Sequence, residues 1–377
     1  MTISESSSPE SSVVETSAPA ALRLRNRWGL RQWGFVVVVV LMVSYMIILP
    51  GIRAVLNTCF AAATPQISQI DDPSVAELIR IRSAKLAVFC IFVYVGAAIG
   101  SFINVAAYGL PRGQAIMLRS SACPVCQQPI ARLDNLPLFS YLNLAGRCRN
   151  CSTPIPVRYF LIELVAASLF ALLFLTELVT GAGNIPGTNQ YLHTGIVWII
   201  LYTKWDVIGL TCFHAGMLIL LLLLTLVAWQ GERLRRIQAV VIVAVVLLLV
   251  SVFPQLRPVA VDAQIAWSLP AGASVQAKQA FATVAGVVAG VVVASVTGLF
   301  AKSTHSCQPH YLGWLVIGIS LGWQATLSIA VLALVALLVR QAISIRWTHA
   351  MRVPPTAITL AVTSAHHPFW KWLAERW

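Results

Sequence analysis

Cys123, Cys126, Cys148 and Cys151 form two Cys-x-x-Cys pairs with 21 residues between them. A Cys-x-x-Cys turn lets both sulfurs converge on one ion, and two such turns complete a tetrahedral thiolate shell that suits zinc. Four thiolates leave no position open for water, so the metal expected here is structural. A segment this small cannot build a core, and the ion would hold it together. Each pair is followed by a polar turn and then proline, Pro129 in the first case and Pro154-Ile155-Pro156 in the second. Cys59, Cys90, Cys212 and Cys307 lack partners at metal spacing and read as small apolar fillers.

The elements that must carry this insert are apolar. The chain is 58% hydrophobic and only 10% charged, more apolar surface than a water-soluble exterior can accommodate. Several runs approach the roughly 20 residues that cross a bilayer. The expected fold is an all-α polytopic integral membrane protein of about eight transmembrane helices, with a small cytoplasmic zinc-ribbon insert. Candidate spans are Trp33–Ile52, Lys85–Leu110, Tyr159–Thr180, Gly195–Trp229, Ala239–Phe253, Phe281–Ala301 and Leu312–Val339. The last is too long for one crossing, and Leu321-Gly322-Trp323-Gln324 suggests a tight bend between two shorter helices. Gly195–Trp229 is also longer than an ordinary span, and a weaker apolar stretch follows Pro354-Pro355.

Lys and Arg total 26 against 13 Asp and Glu, a net charge of +13. The basic residues sit in short loops, where they fix orientation and meet anionic head groups rather than nucleic acid. Arg112, Arg119, Arg132, Arg147, Arg149 and Arg158 surround the insert, against a single acid, Asp134. The positive-inside rule therefore assigns the insert to the cytoplasm. Residues 1–32 begin Ser/Pro-rich and read as a disordered tail. Residues 33–52 read as an extra transmembrane anchor, although Ala61-Ala62-Ala63 mimics a signal cleavage site. Residues 85–180 form a module with the ribbon at about 111–157, and 191–365 form a second membrane domain with an insertion near 230–278.

The order of features then becomes informative. Gly100-Ser101-Phe102-Ile103-Asn104-Val105 and Tyr108-Gly109-Leu110-Pro111 precede the two cysteine pairs. Asp134-Asn135-Leu136-Pro137 lies between the pairs, and Arg158-Tyr159 and Glu163-Leu164 follow. From Gly100 to Phe170 this resembles the N-terminal part of the type IV prepilin peptidases. The resemblance implies a bacterial inner-membrane protein that acts on prepilin or pseudopilin precursors at the cytoplasmic face. Family members cleave the leader with two aspartates, and many methylate the new N-terminus with S-adenosylmethionine. One carboxyl must be ionised to activate water while the other is protonated to serve the leaving amine, and a close pair splits its pKa values to supply both states.

The C-terminal half departs from that pattern. Asp206 is the only acid between Glu177 and Glu232 and is the candidate for the first catalytic aspartate. Counting back from Leu321-Gly322-Trp323 puts Pro309-His310 where the family's second motif has Gly-Asp. His310 would then be the partner, since histidine serves as acid or base near neutral pH. The alternative is that His310 is a polar loop residue, Asp206 an acid at the end of a span, and the chain a catalytically inactive relative that binds pilin precursors or assembly partners. Three crossings separate Asp206 from His310, where a shared face needs an even number. Either Gly195–Trp229 is one long crossing with Asp206 inside it, or Ala239–Phe253 is re-entrant.

Overall fold

The computed structural model describes residues 40–60, 74–114, 122–123, 125–188, 195, 202–257, 274–301, 307–344 and 353–375. The expected tail at 1–32 and residues 258–273 of the expected insertion lie outside the described residues. The chain divides into two compact units, Met1–Ala84 and Lys85–Trp377.

In the first unit, a π-helical turn at Ser44–Ile48 leads into α1, Leu49–Phe60. α2, Val75–Arg112, starts on a reciprocal cap. The Ser74 backbone N–H donates to Glu77 Oε2 at 2.8 Å, and the Glu77 N–H donates to Ser74 Oγ at 3.3 Å. Two of the donors that a helix start leaves without helical partners are satisfied this way.

The second unit is helical. α3, Phe139–Asn143, is a single turn inside the ribbon. α4, Val157–Leu173, runs on into a π-helical turn at Phe174–Leu178. α5 is Trp205–Trp229, α6 Arg236–Val252, α7 Val275–Ala301 and α8 Cys307–Ser344. α9, Pro355–His366, passes through a 3-10 turn at His367–Phe369 into α10, Trp370–Ala374. Among the described residues, five helices are long and apolar enough to span a membrane, and two shorter apolar helices accompany them. The expected Gly195–Trp229 span is a helix from Trp205 onward. Cys90, Cys212 and Cys307 are exposed rather than interior, so they do not fill the core.

The ends of these helices can be sorted by contacts. Arg112, at the end of α2 and the root of the ribbon, donates to Gln230 Oε1 at 3.3 Å and to Glu232 Oε1 at 2.8 Å. Gln238 of α6 donates to the Leu110 carbonyl at 2.9 Å. The α5–α6 turn therefore lies at the ribbon-side end, and the N-terminus of α5 lies at the far end. Gln308 donates to the Leu234 carbonyl at 3.0 Å, which brings the start of α8 to the ribbon side as well.

α8 then reverses. Gly322 has φ 82° and ψ 171°, outside helical geometry and in a region glycine alone adopts freely. Gln341, nineteen residues later, donates to the Phe300 carbonyl at the ribbon-side end of α7. The bend expected at Leu321-Gly322-Trp323-Gln324 is thus a hairpin, with limbs Cys307–Leu321 and Trp323–Ser344. A β-carbon on Gly318 of the first limb would lie 2.1 Å from the Gly286 carbonyl oxygen of α7, so these two backbones touch directly.

Candidate functional site

The two Cys-x-x-Cys turns fold as near copies. The Gln127 N–H donates to the Cys123 carbonyl at 2.9 Å, and the Ser152 N–H donates to the Cys148 carbonyl at 3.0 Å. The Cys123 N–H returns to the Gln128 carbonyl, and the Cys148 N–H to the Thr153 carbonyl. Gln127 and Ser152 each have φ 57°. Single antiparallel bridges, Ala122 to Pro129 and Arg147 to Pro154, close the two turns.

These turns aim the four sulfurs at one point, where all lie within 4.8 Å of one another; Cys123 Sγ and Cys151 Sγ are 3.7 Å apart. Thiol titration is spread across the cluster. Cys151 is pushed down to about 6, first by the Thr153 hydroxyl at 3.2 Å. Cys123 is lowered by the backbone N–H groups of Cys126 and Val125. For Cys126 the Gln128 N–H favours the thiolate, but burial and the neighbouring sulfurs outweigh it and push the thiol up to about 11. With four sulfurs converging within 4.8 Å, the donor set can hold a metal ion in a closed tetrahedral shell.

The segment between the turns is held by charge. Arg149, within the second turn, donates to both oxygens of Asp134 at 2.6 and 2.5 Å. This fork holds the Asp134 carboxyl below the ordinary aspartate range. The contact strengthens the folded turn above the unfolded pKa of about 3.9 and is lost as pH falls through the lower folded value. We expect Arg149→Gln to lose amide-exchange protection at Arg132–Asn135 at a higher pH than the wild type does, in an acid titration read by hydrogen-exchange mass spectrometry. Equal profiles would remove the pair from the ribbon's acid stability.

Beside the ribbon, a groove of about 470 Å³ lies against α2 and α4, with Ser101, Val105, Leu136, Tyr141, Tyr159 and Glu163 on its walls. Two glycines permit this arrangement. Added β-carbons at Gly96 and Gly100 would lie 2.9 and 2.8 Å from atoms of Ala166, so α2 can approach α4 only with glycine there. Glu163 Oε2 accepts the Leu138 N–H at 2.8 Å and holds that residue at φ 63°. The acid of the Glu163-Leu164 motif therefore fixes the loop after Asn135, a role that sequence alone did not supply.

Asp206 and His310 do not meet. Asp206 is exposed on the first turn of α5, at the far end. At about 1.5 Å per residue, α5 separates it from the α5–α6 turn by about 35 Å. His310 is buried at the ribbon-side end, where its Nε2 lies 3.0 Å from Thr297 Oγ1. The helix bounds favour the single crossing from Trp205 over a shared face for the two residues. The acid that does stand at the ribbon-side end of α5 is Glu232, 2.8 Å from Arg112.

Residues 94–177 match the family described as the bacterial peptidase A24 N-terminal domain. A prepilin leader peptidase/N-methyltransferase of Myxococcus xanthus is 45% identical over 83 residues, covering 22% of this chain and 25% of that protein. The corresponding protein of Neisseria gonorrhoeae is 35% identical over 153 residues, covering 29% and 54%. A type 4 prepilin-like proteins leader peptide-processing enzyme of Escherichia coli is 33% identical over 150 residues, with the same coverage. The chain thus spans between a quarter and about half the length of these relatives. No solved structure matches it. The matched segment holds both cysteine turns, the Asp134–Arg149 fork and the Glu163-anchored loop, and over this segment the chain is similar to the N-terminal domain of the prepilin leader peptidases.

Proposed function

We propose that the chain is a bacterial inner-membrane protein that receives prepilin or pseudopilin precursors in the groove beside a cytoplasmic, zinc-bearing ribbon, without cutting them by an aspartate pair. Zinc occupies the four-thiolate site as a structural ion. The arginines around the insert support its cytoplasmic side.

The observation that carries the non-cleaving reading is the separation of Asp206 from His310 at opposite ends of the helices. An acid–base pair must reach one scissile bond within hydrogen-bonding distance, and about 35 Å of helix between Asp206 and the ribbon-side end supports the non-cleaving reading. The test uses the full chain in lipid nanodiscs with a purified prepilin. Binding without leader removal is expected, weakened at least tenfold by Tyr159→Ala in the groove wall. Leader removal that Asp206→Ala abolishes would overturn the reading.

One observation favours a processing role instead. Glu232 and the buried His310 belong to the same ribbon-side end, and the Gln308–Leu234 bond joins their segments. A carboxylate in contact with Arg112 at this end is placed to activate water. Leader removal lost in Glu232→Gln but retained in Asp206→Ala would establish this second reading. The N-methyltransferase part of the relatives' names, with its S-adenosylmethionine, is assigned to no residue of this chain.

A further inference from the structure

At the opposite end of the second unit from the ribbon, three ionisable side chains converge in the interior. Glu177 lies in the π-helical turn after α4, His214 on α5, and His367 in the 3-10 turn after α9. Their exposures are 0%, 0% and 1%. His214 Nδ1 is 2.6 Å from Glu177 Oε1, and His367 Nε2 bonds the same oxygen. The two imidazoles meet edge to face with centroids 4.9 Å apart, and Trp370 packs beside both. One donor atom from each of the three residues lies within 4.8 Å of the others.

A carboxylate in a membrane interior is costly and demands a positive partner. Hydrogen bonding within the cluster does not supply enough. When both imidazoles donate to Oε1, the buried atoms Glu177 Oε2 and His214 Nε2 remain without a partner. Asn184, whose amide nitrogen donates to the His367 carbonyl at 3.0 Å, also has a buried oxygen with no donor. Two acceptor atoms of the cluster itself, Glu177 Oε2 and His214 Nε2, are therefore orphaned in the interior, an arrangement that calls for a cation rather than another acceptor.

We propose that Glu177, His214 and His367 bind a divalent first-row transition-metal ion, with Zn²⁺ the ion of first choice, at a site separate from the ribbon. Two imidazoles and one carboxylate form a donor set suited to zinc or iron(II), whereas magnesium and calcium take all-oxygen shells. The site is enclosed by protein on every side, so its role is to join segments rather than to admit substrate. The ligands are 37 and 190 residues apart in sequence, and the ion would pin α9 to α4 and α5 at the far end. It binds only the folded arrangement and so stabilises it.

The test measures metal per chain in full-length protein purified in nanodiscs, loaded with Zn²⁺ and dialysed free of excess. About two equivalents are expected in the wild type, and about one in Glu177→Gln or His367→Asn, with the ribbon still filled. With Co²⁺ in place of Zn²⁺, thiolate charge-transfer absorption should persist in these variants while the second equivalent is lost. If a variant fails to fold, X-ray absorption of the wild type decides: nitrogen and oxygen ligation for about half of the zinc supports the site. A wild type holding a single, all-sulfur zinc would mean that the cluster traps a proton, and would overturn the proposal.

Discussion

Cys148→Ser is expected to release the ribbon's zinc and unfold the segment between Arg112 and Val157, leaving the helices in place. Few side chains of that segment are interior: among its described residues Cys123, Pro137, Ser140 and the side-chain-less Gly146 are buried, and the others whose burial is described are exposed or half-buried. Without an apolar core, the free energy that orders the chain would come from an ion held by the four thiolates. Structural zinc in peptides of this size contributes on the order of 10–16 kcal/mol. A serine hydroxyl does not replace a thiolate in the shell, and the Cys148 turn is also the one that carries Arg149 and the fork to Asp134. Zinc content should fall by one equivalent, and cleavage by trypsin at Arg132, Arg147 and Arg149 should accelerate by at least a hundredfold. Cys212→Ser, on exposed α5 surface, should change neither. The helices persist because the close approach of Gly96 and Gly100 to Ala166 involves no metal. A Cys148→Ser protein with full zinc content and wild-type trypsin resistance would show that the ribbon does not depend on its thiolates.

Gly318→Val is expected to separate α7 from α8 and destabilise the second unit. The β-carbon would lie 2.1 Å from the Gly286 carbonyl oxygen and 3.2 Å from the Gly290 nitrogen. The reciprocal approach is equally tight, 2.2 Å from a Gly286 β-carbon to the Gly318 oxygen. In a bilayer, helix association depends on such backbone contact, because lipid tails solvate apolar side chains as well as a neighbouring helix does. Overpacking typically costs about 1–3 kcal/mol, and this site belongs at or above the upper end, since both obstructing groups are backbone and cannot rotate away. Gly298 provides the opposite case on the same helix pair. A β-carbon there meets nothing within 4 Å, so Gly298→Ala should stabilise by up to about 1 kcal/mol through helix propensity. Thermal unfolding in nanodiscs should rank the proteins Gly298→Ala, wild type, Gly318→Val. Equal transitions for Gly318→Val and the wild type would mean that the hairpin is not held by that contact.

The ribbon was legible in sequence because its determinants are local. Cys-x-x-Cys spacing, the residue after each pair and the following prolines all act within a few positions, and the folded turns use just those residues. The reversal at Gly322 was legible for the same reason: an over-long apolar run needs a residue that tolerates positive φ. The end on which Asp206 lies was left open by the sequence because an unbroken apolar run hides where its helix begins, and the start of α5 at Trp205 sets that end. Glu177, His214 and His367 escaped notice because their meeting depends on separations of up to 190 residues. The available clue was physical rather than patterned: Glu177 and His214 are ionisable groups inside apolar runs, and such groups need a partner from elsewhere.

The hairpin at Gly322 has a consequence for the lipid itself. Its first limb, Cys307–Leu321, rises about 22 Å at about 1.5 Å per residue. A typical hydrocarbon layer is about 30 Å thick. Anchored at the ribbon side through Gln308, the limb ends short of the opposite head groups, and Trp323 and Gln324 follow at its tip. The bilayer must thin or admit water there to meet them. Reconstitution in shorter-chain lipids should therefore relieve this mismatch, and thicker membranes should strain the protein first at the bend.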